Sequence, residues 1–177
     1  MSLKRTSDIV MVGDIIDING AFSVNEITLP LDILNREVFV VVGVDFKINT
    51  AIALSRLDCA GEIIGQVSTT RPTQISGLQN PNLLAAVNYT FNGHYDLAAV
   101  PPQSTWGAHE QLAGNTPPAQ MDWVGIVATD NMFFAQDLDG TIGAGNTGSV
   151  QVRVYGYRAQ ADAATYAALV QSEALSA

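Results

Sequence analysis

Residues 149–158, S-V-Q-V-R-V-Y-G-Y-R, constrain the fold of this chain more than any other stretch. Val150, Val152, Val154 and Gly156 recur at period two on one side, while Gln151, Arg153, Tyr155 and Tyr157 occupy the other. A strand with one buried side reads this way. Such a strand needs neighbours along both edges and a second layer beneath it, so the remainder is read for strands first.

Residues 9–18 are rich in Ile and Val and end at Asn19-Gly20, a turn pair that predicts a hairpin into residues 22–29, with Pro30 ending that strand or marking an edge. Residues 36–48, R-E-V-F-V-V-V-G-V-D-F-K-I, place Val38, Val40, Val42, Val44, Phe46 and Ile48 on one face. Phe39, Val41 and Gly43 hold the other until it turns polar at Asp45 and Lys47. This pattern predicts burial on both sides at the start of the strand and on one side at its end. Residues 51–57 and 62–70 are further strand candidates, and residues 71–82, with Pro72, Gly77 and Pro81, read as a long loop.

In residues 83–91 the L-L-A-A-V half leans helical and the V-N-Y-T-F half leans strand, which is the preferred reading there. Asn92-Gly93 predicts another hairpin, into residues 95–100. A second long excursion is expected from Pro101-Pro102 to Pro117-Pro118, with one or two helical turns at residues 105–112. Residues 122–136 read as one long strand, bent near Asp130 and Asn131, and residues 137–148 as the turn region that leads back to the opening strand. Asp162 is a candidate N-cap for a short helix carrying Tyr166, Leu169 and Val170 on one side. Eight or nine strands with long loops give an all-β class: a single jelly-roll β-sandwich or barrel with a short C-terminal helix. The expected organisation is one domain over residues 1–177, with a core sandwich at 36–158 and the helix at 162–175.

Composition narrows the function. Lys and Arg total 8 against 17 Asp and Glu, a net charge of −9, with no basic cluster beyond Lys4 and Arg5. Direct nucleic-acid binding, which depends on neutralising phosphates, is not expected. Charged residues are 14% of the chain, against about 25% in an ordinary soluble domain, and none between Arg71 and Arg153 is Lys or Arg. Charge depletion of this kind suits burial against neighbours. The longest apolar run, residues 38–44, is far short of the roughly 20 residues that span a bilayer, and Asp14 and Asp17 break the N-terminal apolar stretch, so a soluble chain without a signal peptide is expected.

No motif assigns a catalytic residue, a metal or a cofactor. Cys59 is the sole cysteine, so no intrachain disulfide forms. His109 fails the H-E-x-x-H zinc pattern because Ala113 holds the second histidine position, and Cys59 with His94 or His109 has no local support as a nucleophile pair. Gly143-Ala144-Gly145-Asn146 reads as a hairpin loop. Asp137 and Asp139, with Asn146, alternate as the ligands of a hard cation do, but Ile142 and Gly148 break the EF-hand pattern, and a plain turn is the reading. No spacing selects a carboxylate pair for glycoside hydrolysis. The residues that stand out are Trp106, Arg153, Tyr155 and Tyr157, as interface candidates. The alternative is a carbohydrate-binding β-sandwich module or adhesin that stacks sugars on the same aromatics.

The strand R-E-V-F-V-V-V-G-V-D-F, followed late in the chain by V-G-I-V-A-T-D-N-M-F-F-A-Q-D-L-D-G and G-S-V-Q-V-R-V-Y-G-Y-R, resembles the single jelly-roll major capsid proteins of tailless icosahedral viruses of bacteria and archaea. The resemblance covers residues 36–158 and lies in strand patterns. It implies a structural protein of the virion, not an enzyme, whose barrel stands upright in a shell and forms homo-oligomeric capsomers. Its implied partners are copies of itself, other capsid proteins and an internal membrane. The net charge departs from capsids that package a genome through basic arms, so the resemblance further implies a membrane or another protein between shell and genome. The expected contacts are the loops at 71–82 and 101–118 and the face that carries Tyr155 and Tyr157.

Overall fold

The computed structural model describes residues 3–18, 20–51, 59–96, 103–117, 121–141 and 147–175. They form strands β1 (Leu3–Arg5), β2 (Val10–Asp17), β3 (Ser23–Thr28), β4 (Glu37–Ala51), β5 (Cys59–Ser68), β6 (Leu83–Asp96), β7 (Gln103–Ala113), β8 (Gly125–Val127), β9 (Asn131–Thr141) and β10 (Thr147–Ala161), then helix α1 (Ala163–Leu175). The antiparallel pairings are nested: β5 with β6, β4 with β8, β3 with β9, β2 with β10. The chain is thus one long hairpin rolled into two sheets. Sheet A runs β2-β10-β4-β8, with β1 pairing the far end of β10, and sheet B runs β3-β9-β5-β6-β7. This is a jelly roll, eight strands in two Greek keys, with β7 added to the edge of sheet B and the short β1 added to sheet A.

The core follows from the alternation in β10. Val150, Val152 and Val154 are buried against Ile63, Val67, Val87, Phe91, Met132 and Phe134 of sheet B. In β4 the alternation is interrupted. Its register to β10 slips between Tyr155 and Gly156, from Gly43 to Val41, leaving Val42 as a bulge. Val44, Phe46 and Ile48 therefore face the core, as do Phe39 and Val41, while Val38 and Val40 face outward. The reading that put Val38 through Ile48 on one face is corrected, because the extra residue inverts the pattern. Both sides of β4 are nevertheless buried at its start. Helix α1 lies over the outer side there, packing Tyr166, Leu169 and Val170 on Val38, Val40, Ala159 and Ala161.

Asp162 caps α1 as expected: Thr165 donates its N–H to Oδ1 at 2.8 Å and its hydroxyl to Oδ2 at 2.9 Å. The Thr165 N–H and then its hydroxyl hold the Asp162 carboxyl below its ordinary range.

Several local expectations give way to long-range pairing. Asn19 lies outside the described residues, and the hairpin expected there is not seen in the flanking strands: β2 joins β10 and β3 joins β9, in different sheets. Asn92-Gly93 lies inside β6, which runs on between β5 and β7. Residues 105–112, expected as helical turns in a loop, belong to β7, paired with β6 from Asp96↔Gln103 to Ala86↔Ala113. Residues 122–136 form two strands, since the chain crosses from sheet A to sheet B between β8 and β9. Asp137 and Asp139 sit within β9 instead of a turn. The glycine-rich residues 143–145 and Asn146 lie outside the described residues.

The loop at residues 71–82 is present and folds back onto sheet B. Gln66 holds it with both ends of its amide, donating to the Gln74 carbonyl at 3.4 Å and accepting the Ser76 N–H at 2.9 Å. The Ser68 hydroxyl donates to the Thr70 carbonyl (2.8 Å), and the Asn82 amide to the Thr70 hydroxyl (2.9 Å).

Candidate functional site

Helix α1 covers one end of the outer side of sheet A, and among the described residues the other end is left open. Because Val10, Val12 and Ile16 of β2 turn toward the core, Met11, Gly13 and Ile15 turn outward. The register then builds three cross-strand rows: Ile15, Gln151 and Lys47; Gly13, Arg153 and Asp45; Met11, Tyr155 and Gly43. Met11 is 63% exposed, Ile15 49% and the adjoining Ile9 57%. The Tyr155 hydroxyl donates to Asp45 Oδ2 at 2.8 Å, tying β10 to β4 diagonally between neighbouring rows. Arg153 is exposed beside it.

Of the four residues expected at an interface, Arg153 and Tyr155 stand together on this open end. Tyr157 marks its boundary: it packs into the cluster beneath α1, and the Arg5 guanidinium carbon lies 4.8 Å from its ring centroid. Trp106 is on β7 in the other sheet, opposite Gly93, and its side chain lies outside the described residues, as does that of Cys59. The structure therefore does not gather the four residues into one site. Met11, Ile15 and Asp45 were absent from the sequence candidates. A signal for two of them exists in V-M-V-G-D-I-I, which is apolar at odd and even positions alike and so marks a strand with apolar side chains on its wet side.

Beside this face a groove of about 440 Å³ opens where β8 ends, lined by Val44, Phe46, Lys47, Leu112, Asn115 and Arg153. Strand β8 pairs only Phe39 to Val41 of β4; farther on, the Val44 N–H donates to the Asn115 carbonyl at 3.0 Å.

The two sheets differ in charge. Lys4, Arg5, Lys47, Arg153 and Arg158 lie on strands of sheet A together with Asp14, Asp17, Glu37 and Asp45, whereas no strand of sheet B contains a Lys or Arg. On sheet B, Glu62 stands across from Asp139 and Ile64 across from Asp137. The Asn88 amide donates to Glu62, and Asp137 Oδ1 accepts the Leu138 N–H at 2.9 Å. Among the described residues, no group of three His, Cys, Asp or Glu is placed to hold a metal ion. His94 and His109 are both exposed, on β6 and β7.

No protein-family model matches the sequence, and no curated protein matches it. Among solved structures, the chain is similar to VP1 of Merkel cell polyomavirus, described as an unassembled pentamer. That likeness has 10% identity and a TM-score of 0.44, over 92% of this chain and 99% of that one.

Proposed function

We propose that this protein is a structural subunit of capsid type that assembles with copies of itself through the open end of sheet A. The observation that carries the reading is the line of Ile9, Met11 and Ile15, exposed beside Tyr155 and Arg153 on a rigid sheet. Interface centres favour Tyr, Met and Arg and are poor in Lys, Glu and Asp. The central strand of this face, β10, is paired along both edges, to β2 and β4, so Arg153 and Tyr155 stand on backbone that loses little conformational freedom when the face is covered. The jelly roll itself serves shells, lectins and other proteins, so the face weighs more than the fold. The strand-pattern resemblance to single jelly-roll capsid proteins supports the same reading, and so does a chain short of charge. Net charge −9 sets it apart from genome-binding subunits, so its partners in this reading are its own copies, with other capsid proteins or a membrane behind the shell.

Light scattering behind a sizing column, with negative-stain images of the largest species, tests the proposal. Discrete capsomer-sized rings or shells are expected for the native chain, and folded monomers for Ile15→Asp and Tyr155→Asp. A clean 18.8 kDa monomer across protein and salt concentration overturns it. The aromatics would then return to the carbohydrate-binding alternative, with glycan binding lost in Trp106→Ala as its readout.

A further inference from the structure

Helix α1 reads A-A-T-Y-A-A-L-V-Q-S-E-A-L, and Glu173 is its sole charged residue. On an ordinary surface helix that residue faces water. Here it is turned inward and is 7% exposed, while Gln171 and Ser172 beside it are exposed. Glu173 Oε1 accepts the Ala128 N–H at 2.9 Å, and Oε2 is buried with no hydrogen-bond partner in the protein. The neighbouring Thr129 hydroxyl gives its hydrogen to the Asn131 carbonyl at 3.1 Å. Two cavities of about 250 and 240 Å³ flank the carboxyl, and both are also lined by Thr69, whose hydroxyl is buried without a partner too.

From this geometry we infer that Glu173 is a proton-operated latch: its neutral carboxyl holds α1 against sheet A, and its ionised carboxylate loosens the helix. A buried carboxylate needs several donors to replace its water, and this one has one short bond, from the Ala128 N–H, and a weaker pull from Thr129, so the charged form is the costly one. Burial raises the Glu173 carboxyl above the ordinary glutamate range, against the pull of the Ala128 N–H and of Thr129. The docked helix therefore binds the proton more tightly than the free helix does. Docking is strongest below the ordinary range and weakens as pH rises through the raised one.

Three other titratable or charged groups face the site. Arg71, from the loop after β5, lines one cavity. Asp130, from the turn after β8, acts by like charge on Tyr166 of α1. Tyr166, on α1 itself, is raised chiefly by burial and then by the charges of Glu173 and Asp130, and so stays neutral throughout the Glu173 transition. What the latch controls is the outer strip of Val38, Val40, Ala159 and Ala161, all buried under α1.

Amide hydrogen exchange on the full chain from pH 5 to pH 8, corrected for intrinsic rates, tests the inference, with β5 as internal standard. Protection of α1 is expected to fall about tenfold per pH unit while Glu173 is protonated when docked and ionised when free. In Glu173→Gln the profile is flat and high, and Asp130→Asn keeps the native slope. A flat native profile, a slope retained in Glu173→Gln, or a slope lost in Asp130→Asn overturns the latch. If Glu173→Gln does not fold, Glu173→Met stands in for it and is expected to be flat as well. Failure of both neutral replacements to fold also overturns the idea, since a group that works by being protonated is replaceable by a neutral one.

Discussion

Gly156 shows how much one position can settle. Its spacing with Val150, Val152 and Val154 places it on the buried side of β10, and that is legible in the sequence alone. The reason for glycine is not, because the neighbour responsible comes from a strand far away in the chain. A Cβ at this position meets Phe39 Cε1 at 2.4 Å and the Val40 carbonyl oxygen at 2.6 Å. Neither a ring packed in the core nor a paired backbone gives way cheaply, so Gly156→Ala is expected to cost about 1–3 kcal/mol in urea unfolding at unchanged slope. Asp162 is the opposite case. Its cap was readable because an N-cap bond spans three residues, well within a local window.

At the level of elements, the same contrast decides which strands were readable. Strands with one wet side, such as β10, announce themselves by alternation. Strand β7 does not: G-A-H-E-Q-L-A carries no period-two pattern, is exposed along Gly107 to Leu112, and is a strand because β6 offers its edge. The break between β8 and β9 was hidden for a related reason, since both pieces are apolar and only the sheet each one joins separates them. The inversion in β4 arises from a single bulged residue, and its consequence is that α1 has valines to cover. A chain ending at Asp162 bares Val38 and Val40, each normally fully buried, with a burial contribution on the order of 1.5–3 kcal/mol apiece. That chain is expected to aggregate on a sizing column at concentrations where the full chain does not. A monodisperse truncated chain of native thermal stability would show the helix to be dispensable.

For the whole molecule, the jelly roll was accessible from the number and style of the strands, whereas the candidate assembly face was only half accessible. Arg153 and Tyr155 were visible on the polar side of a strong strand. Met11 and Ile15 left only the weak signal of an all-apolar run, because their exposure depends on β2 being an edge strand whose outer side nothing among the described residues covers. The unequal distribution of cations between the strands of the two sheets gives the protein an electrical polarity across its thickness, with strands of mixed sign on one side and strands whose charges are all acidic on the other. The protein is therefore expected to settle on an anionic bead with sheet A inward despite its overall negative charge, and on a cationic bead with sheet B inward. Acylation of Lys47 is expected to slow several-fold on the first bead and not on the second, and the difference is expected to fade as salt shortens the Debye length below about 8 Å. In the proposed assembly, an arriving copy thus meets a field that tells one side from the other before any side chain touches.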